Sequence, residues 1–161
     1  MFDSKKFDEL VLIIANHPNV TDLGLTKLYK LLYFAEVECL RTKGDMITGA
    51  EYLKYELGPV PSRGEKQLKA LKRAEHLLTV KEPYGTYFIE RVIPQRAADC
   101  DVFDAQELQA IERVCQRYGN KTATYLSELS HQEPAWHYAA LRGKLSPELM
   151  VYGQAEDPDE L

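Results

Sequence analysis

Four histidines, His17, His76, His131 and His137, are the first residues to test for metal or acid–base chemistry, and none stands in an H-E-x-x-H or related ligand spacing. No metal site is expected. Ser127, Ser130 and His131 lie close together, but no G-x-S-x-G frame surrounds them, and Ser130 stands three residues before Glu133 in the spacing of a helix capping box. Gly119-Asn120-Lys121-Thr122 looks like the end of a phosphate-binding loop. The glycine five residues earlier is missing, however, and a helical pattern rather than a strand precedes it. Carboxylates are numerous, but no pair stands out in an apolar setting where general acid–base work would be tuned. Cys39, Cys100 and Cys115 are an odd number with no C-x-x-C pair, which suggests reduced thiols rather than a disulfide framework or a zinc knuckle. These residue types point to a protein that is not an enzyme and uses no cofactor.

Cations are more suggestive. Residues 62–81 carry six Lys or Arg, among them Arg63, Lys66, Lys69, Lys72 and Arg73, against two Glu, a net +4 in a chain of net −5. A helix over 62–76 followed by a hairpin over 77–92 is the element order of a winged helix, in which the helix reads DNA and the hairpin touches its backbone. A solvated helix face or a docking patch for an acidic protein would use the same residues. Ten tyrosines, five phenylalanines and one tryptophan supply further interface anchors. Tyr29 and Tyr33 share a helix face and are expected to pack, Tyr84 and Tyr87 sit at a hairpin tip, and Trp136 reads as a packing anchor with its N–H bonded. Lys27 and Lys30 interrupt an otherwise apolar helix, so they either snorkel to solvent or meet a partner's carboxylate.

The elements that must position these residues follow from pattern. Phe7, Leu10, Val11 and Ile14 mark a helix face with Ser4 as the candidate N-cap. Leu25 to about Lys43 is apolar nearly all round, with Leu28, Leu32, Ala35 and Cys39 in one stripe, which places it mid-fold, and Gly44 offers a left-handed stop. Tyr52–Leu57 alternates as a short strand ending at Gly58-Pro59-Val60-Pro61, where two prolines predict a stiff elbow. Ser62 and Glu65 have capping spacing for the basic helix. Glu82-Pro83-Tyr84-Gly85 suits a type I turn between two β-prone runs. Asp104 and Glu107 start another helix that Gly119 closes, Thr122 opens a short one, Ser130 with Glu133 precedes a turn at Pro134, and Ser146-Pro147 begins a last turn. The expected class is α+β, predominantly α-helical, with one short strand and a β-hairpin.

At 161 residues, 45% hydrophobic and 28% charged, the chain fits one ordinary globular domain, expected over 1–152, with a flexible acidic tail over 153–161. Leu28–Leu40 is broken by Lys30, Glu36 and Glu38 and falls short of the ~20 apolar residues a membrane span requires. The N-terminal residues show no signal-peptide pattern, so a cytoplasmic address is expected.

Four separated segments occur in a recognisable order: Lys27-Leu28-Tyr29-Lys30-Leu31-Leu32-Tyr33-Phe34-Ala35, Ile47-Thr48-Gly49, Tyr55-Glu56-Leu57-Gly58-Pro59-Val60-Pro61, and Leu129-Ser130-His131-Gln132-Glu133-Pro134-Ala135-Trp136. Over residues 25–140 the chain resembles the Panacea domain of the SocA-like antitoxins, with Tyr29 standing where that pattern leads one to expect Gln. The resemblance implies a mainly helical bacterial or phage domain that neutralises a cognate toxin, encoded in the neighbouring gene, by direct protein contact. It supplies no catalytic residues. Expected contact residues are Lys27, Lys30, Gly58, Pro59, Val60, Pro61, Arg63, Lys66, His131 and Trp136. A homodimer is compatible with this role, nucleic acid is the second choice of partner, and a membrane is not expected. The alternative is the winged-helix-like regulator, and a more remote one is presentation of a bound partner to a protease.

Overall fold

The nineteen-residue helix expected at Leu25–Lys43 lies at the centre of the molecule. Residues 1–153 are described by a computed structural model, so the expected acidic tail lies, apart from Gly153, outside the described residues. The elements in chain order are α1 (Ser4–Asn16), α2 (Leu25–Lys43), β1 (Tyr52–Tyr55), β2 (Gly58–Pro61), α3 (Gly64–Arg73), β3 (Leu77–Tyr84) and β4 (Tyr87–Pro94). A 3-10 turn (Cys100–Val102), α4 (Ala105–Tyr118), α5 (Ala123–His131), α6 (Pro134–His137) and α7 (Pro147–Met150) complete them. The class is α+β, dominated by helix, as the patterns predict.

Packing follows from α2. Leu28, Leu31, Leu32, Ala35 and Cys39 are fully excluded from solvent, and one apolar cluster runs from Phe7 of α1 through α2 and α4 to Met150 of α7. A helix buried on nearly every side needs neighbours all round, and α1, α4, α5 and both hairpins supply them. Its C-terminus ends as expected at Gly44, with φ +97° and its N–H donating to Leu40 O. The capping box of α4 is also present: Asp104 Oδ1 accepts from Glu107 N at 2.8 Å and Glu107 Oε1 from Asp104 N at 2.9 Å.

The main departure is the segment Gly58–Pro61, which is a strand and not an elbow, so the expected single strand is half of a second hairpin. β1 and β2 pair antiparallel from Tyr52↔Pro61 to Tyr55↔Gly58 around the two-residue loop Glu56-Leu57. In such a hairpin the hydrogen-bonded pairs alternate, and Pro59 and Pro61 occupy the alternate positions of an edge strand, where a missing N–H removes no ladder bond. Ser62 N continues the ladder to Glu51 O at 2.8 Å. Ser62 therefore does not cap α3, whose N-cap is Arg63 with no side-chain bond.

Other helix ends shift for similar reasons. Asp3 rather than Ser4 caps α1, accepting from Lys6 N at 3.0 Å. Helix α3 stops at Arg73, before the expected His76, in a left-handed turn at Glu75 (φ +62°) with Glu75 N donating to Lys72 O and His76 N to Leu71 O. The β3–β4 turn has Gly85-Thr86 at its centre, two residues later than the expected Glu82–Gly85 turn, and Gly85 takes φ +60° there. Ser130 directs its hydroxyl to Ser127 O at 2.7 Å, so Glu133 rather than a Ser130 capping box precedes α6.

Candidate functional site

The resembling segments meet in space around the β1–β2 hairpin. Lys30, one turn into α2, is 1% exposed, and its Nζ donates to Pro59 O at 2.7 Å. Burial alone pulls its pKa down to about 7. Gly58 lies directly over it, at φ +121°. A Cβ at Gly58 would come within 2.5 Å of Lys30 Cε and closer still to Ser130 Oγ, so both backbone angle and space require glycine.

The far side of the hairpin is clamped by the segment 129–136. His131 Nε2 donates to Glu56 O at 2.8 Å, which fixes the tautomer, and Trp136 Nε1 donates to Tyr55 O at 3.0 Å. The two rings stack with centroids 4.2 Å apart, and Lys54 Nζ lies 4.2 Å over the Trp136 ring. The expected bonded role of the Trp136 N–H is thus met. Lys30, Gly58, Pro59, His131 and Trp136 form one assembly, with Val60 and Pro61 continuing the edge strand beside it.

Lys27 is placed elsewhere. It is buried, and its Nζ donates to Thr21 O and, at 2.6 Å, to Gly119 O, joining the approach to α2 to the end of α4. Burial again lowers its pKa. Neither lysine snorkels to solvent, because backbone carbonyls inside the fold satisfy both ammonium groups. Arg63 and Lys66 are exposed at the start of α3, Arg63 with its guanidinium 5.2 Å from the Phe2 ring centroid.

Sequence reasoning missed the buried carboxylates. Glu36 on α2 is fully buried and accepts from Thr48 N at 2.9 Å and Thr48 Oγ1 at 2.6 Å, which anchors Ile47-Thr48-Gly49 to the central helix. Burial raises its pKa to about 7 despite those bonds. Glu133 is held by Arg41 Nη2 at 3.0 Å to both oxygens; burial raises its pKa, and Arg41 opposes the rise. An acid inside an apolar helix was the available signal for Glu36, whereas Arg41 and Glu133 are 92 residues apart and had no local one. No group of three metal-ligating side chains converges among the described residues.

These segments hold one another in place. A model of the "Antitoxin SocA-like, Panacea domain" family matches residues 28–137. The chain belongs to this family. The family's description supports an antitoxin role in general terms. No curated protein and no solved structure matches the chain. No helix among the described residues is long and apolar enough to cross a membrane.

Proposed function

We propose that the chain is an antitoxin that neutralises a cognate toxin, encoded in the adjacent gene, by direct protein–protein contact and without catalysis. The observation that carries this reading is the family match over 28–137. The geometry agrees with it: His131 and Ser130, the residues closest to a nucleophile-and-base pair, are bonded to backbone carbonyls at Glu56 and Ser127. Neutralisation then proceeds by covering the toxin or by holding it in an inactive state, with affinity coming from a few buried anchors. On this reading Gly58–Pro61, Arg63, Lys66, His131 and Trp136 shape the contact face, while Lys27 and Lys30 act from beneath by fixing the backbone. Coexpression with the adjacent gene's product tests the proposal. Recovery of growth and a co-purifying complex are expected, and continued toxicity with no complex would refute it.

A second reading keeps the DNA-binding regulator, because α3 and the β3–β4 hairpin do follow one another in winged-helix order. Promoter binding that weakens steeply with salt, and is lost when Lys66 and Lys69 become Glu, is its expected signature.

A further inference from the structure

The β3–β4 hairpin is anchored only at its base, where Leu77 and Val92 turn one face into the core. Residues 80–88 are exposed throughout, so the distal half of the ribbon has neither face covered among the described residues. A two-stranded ribbon open on both sides is marginal in water, and a packed face or further strands are what normally hold one. The register and the alternation of side chains set Leu78 opposite Ile93, Val80 opposite Arg91, Glu82 opposite Ile89 and Tyr84 opposite Tyr87, all on the face away from Leu77 and Val92.

This outer face is largely apolar. Tyr84 and Tyr87 are 68% and 75% exposed, and Leu78, Val80 and Ile93 are 47%, 44% and 37% exposed. Two tyrosines that bury about 150–250 Å² each when covered, together with the three aliphatic side chains, put the open apolar area at roughly 500 Å². That approaches the ~800 Å² each partner contributes to a stable interface, and contiguous patches of this size mark interaction sites. A groove of about 680 Å³ separates Tyr84, Ile89 and Arg91 of this face from residues 120–124 at the start of α5, which leaves the tip open.

The order of side chains along the face selects its occupant. From tip to base it runs as an aromatic pair, a charged level and an aliphatic cluster, with Arg91 Nη2 donating to Glu82 Oε2 at 2.8 Å across the middle. A two-fold axis crossing the strands at that middle reverses the order. It lays Tyr84 and Tyr87 of one protomer over Leu78 and Ile93 of the other, and brings Glu82 of one beside Arg91 of the other. Apolar groups then meet apolar groups, each charge meets its opposite, and one surface serves both sides of the contact. We propose that the chain forms a two-fold homodimer in which the outer faces of two β3–β4 hairpins stack as a four-stranded sandwich about the Glu82–Arg91 level. The dimer is independent of the antitoxin reading, since none of the contact residues named there belongs to this face.

Sedimentation equilibrium of the full chain is the test, and a concentration-dependent monomer–dimer equilibrium is expected. Val80→Glu, which sets a carboxylate over Glu82 of the other protomer, and Tyr87→Ser should each weaken dimerisation at least about tenfold with circular dichroism unchanged. Tyr87→Ser stands alone if Val80→Glu does not fold. Tyr138→Ser/Leu141→Ser, exposed beyond α6, should leave the dimer within about twofold. Cross-linking reads the register in a Cys100→Ser background, because Cys100 is the exposed thiol while Cys39 and Cys115 are buried. Positions 78 and 84 of opposite protomers stand ~10 Å apart across the sandwich, whereas the two positions 78 stand ~20 Å apart. A short bis-maleimide should therefore join Leu78→Cys to Tyr84→Cys in a mixture and not join Leu78→Cys to itself. A monomeric unmodified chain overturns the proposal, as does a dimer that a folded hairpin variant leaves unweakened, one lost in Tyr138→Ser/Leu141→Ser, or cross-linking that does not favour the mixed pair. A monomer whose Tyr87→Ser variant loses the adjacent gene's product also overturns it and assigns the face to that protein.

Discussion

Gly58→Ala tests the idea that the hairpin is seated on Lys30. At φ +121° an alanine carries backbone strain of about 1–3 kcal/mol. Its Cβ would also fall within 2.5 Å of Lys30 Cε, so either β2 lifts or the lysine withdraws from Pro59 O. Losing that buried, charge-assisted bond adds about 1.5–3 kcal/mol. The expected total, roughly 2.5–6 kcal/mol, is a large share of the ~5–15 kcal/mol by which domains are stable. Gly44→Ala is the control: Gly44 also has positive φ, at +97°, but a Cβ there meets nothing within 4 Å, so only strain of about 1–2 kcal/mol applies. Urea unfolding followed by circular dichroism would measure both. Ser130→Ala in the Gly58→Ala background removes one of the two atoms the new methyl strikes, and should recover part of the loss. Equal destabilisation by Gly58→Ala and Gly44→Ala, with no recovery from Ser130→Ala, would refute the seating argument.

Burial pulls the Lys30 pKa from its ordinary 10.5 down to about 7, so between those limits the unfolded chain binds more protons and stability rises with pH. Lys30→Met should abolish that rise, which is on the order of 4 kcal/mol, and an unchanged slope in unfolding experiments from pH 7 to 10 would contradict the burial argument. Glu36 runs the other way: its pKa is raised from 4.5 to about 7, the folded chain binds more protons across that window, and stability falls as pH rises through it. Glu36→Gln should flatten the fall and leave the protein at least as stable above pH 7; a clear loss there would mean that the charged carboxylate is needed by Thr48. Glu75→Gly should raise stability by about 1 kcal/mol, because glycine takes φ +62° without the Cβ penalty, and calorimetric melting would expose a wrong sign.

Helices were legible because α1, α2 and α4 each bury a side chain stripe that repeats with the helical period, and because Gly44 and the Asp104–Glu107 box act within a few residues of one another. The β2 strand was not, since Pro59 and Pro61 read as breakers until a partner strand shows that their missing N–H groups face away from the ladder. The end of α3 was hidden for a related reason: Glu75 adopts a left-handed turn without the glycine that normally announces one. Arg41 with Glu133, and Arg96 with Glu9, are joined only by the tertiary fold.

The candidate site divides along the same line. Its segments were legible as a family pattern, but nothing local reveals that Lys30 reaches Pro59 O, or that His131 and Trp136 take the two carbonyls of the hairpin turn. Once those bonds are known, the roles separate. A residue whose donor is already spent on a buried carbonyl influences a partner by fixing where the hairpin stands, and its substitution costs stability and affinity together. Arg63 and Lys66 spend no hydrogen-bond donor within the fold among the described residues, so under the antitoxin reading, which puts them on the contact face, their substitution costs affinity alone. Plotting affinity loss against stability loss for Lys30→Met, Gly58→Ala and Arg63→Glu/Lys66→Glu therefore distinguishes the two groups. A common line through all three variants would refute the separation, and a charge-reversal point far off the line of the other two is what the structure requires.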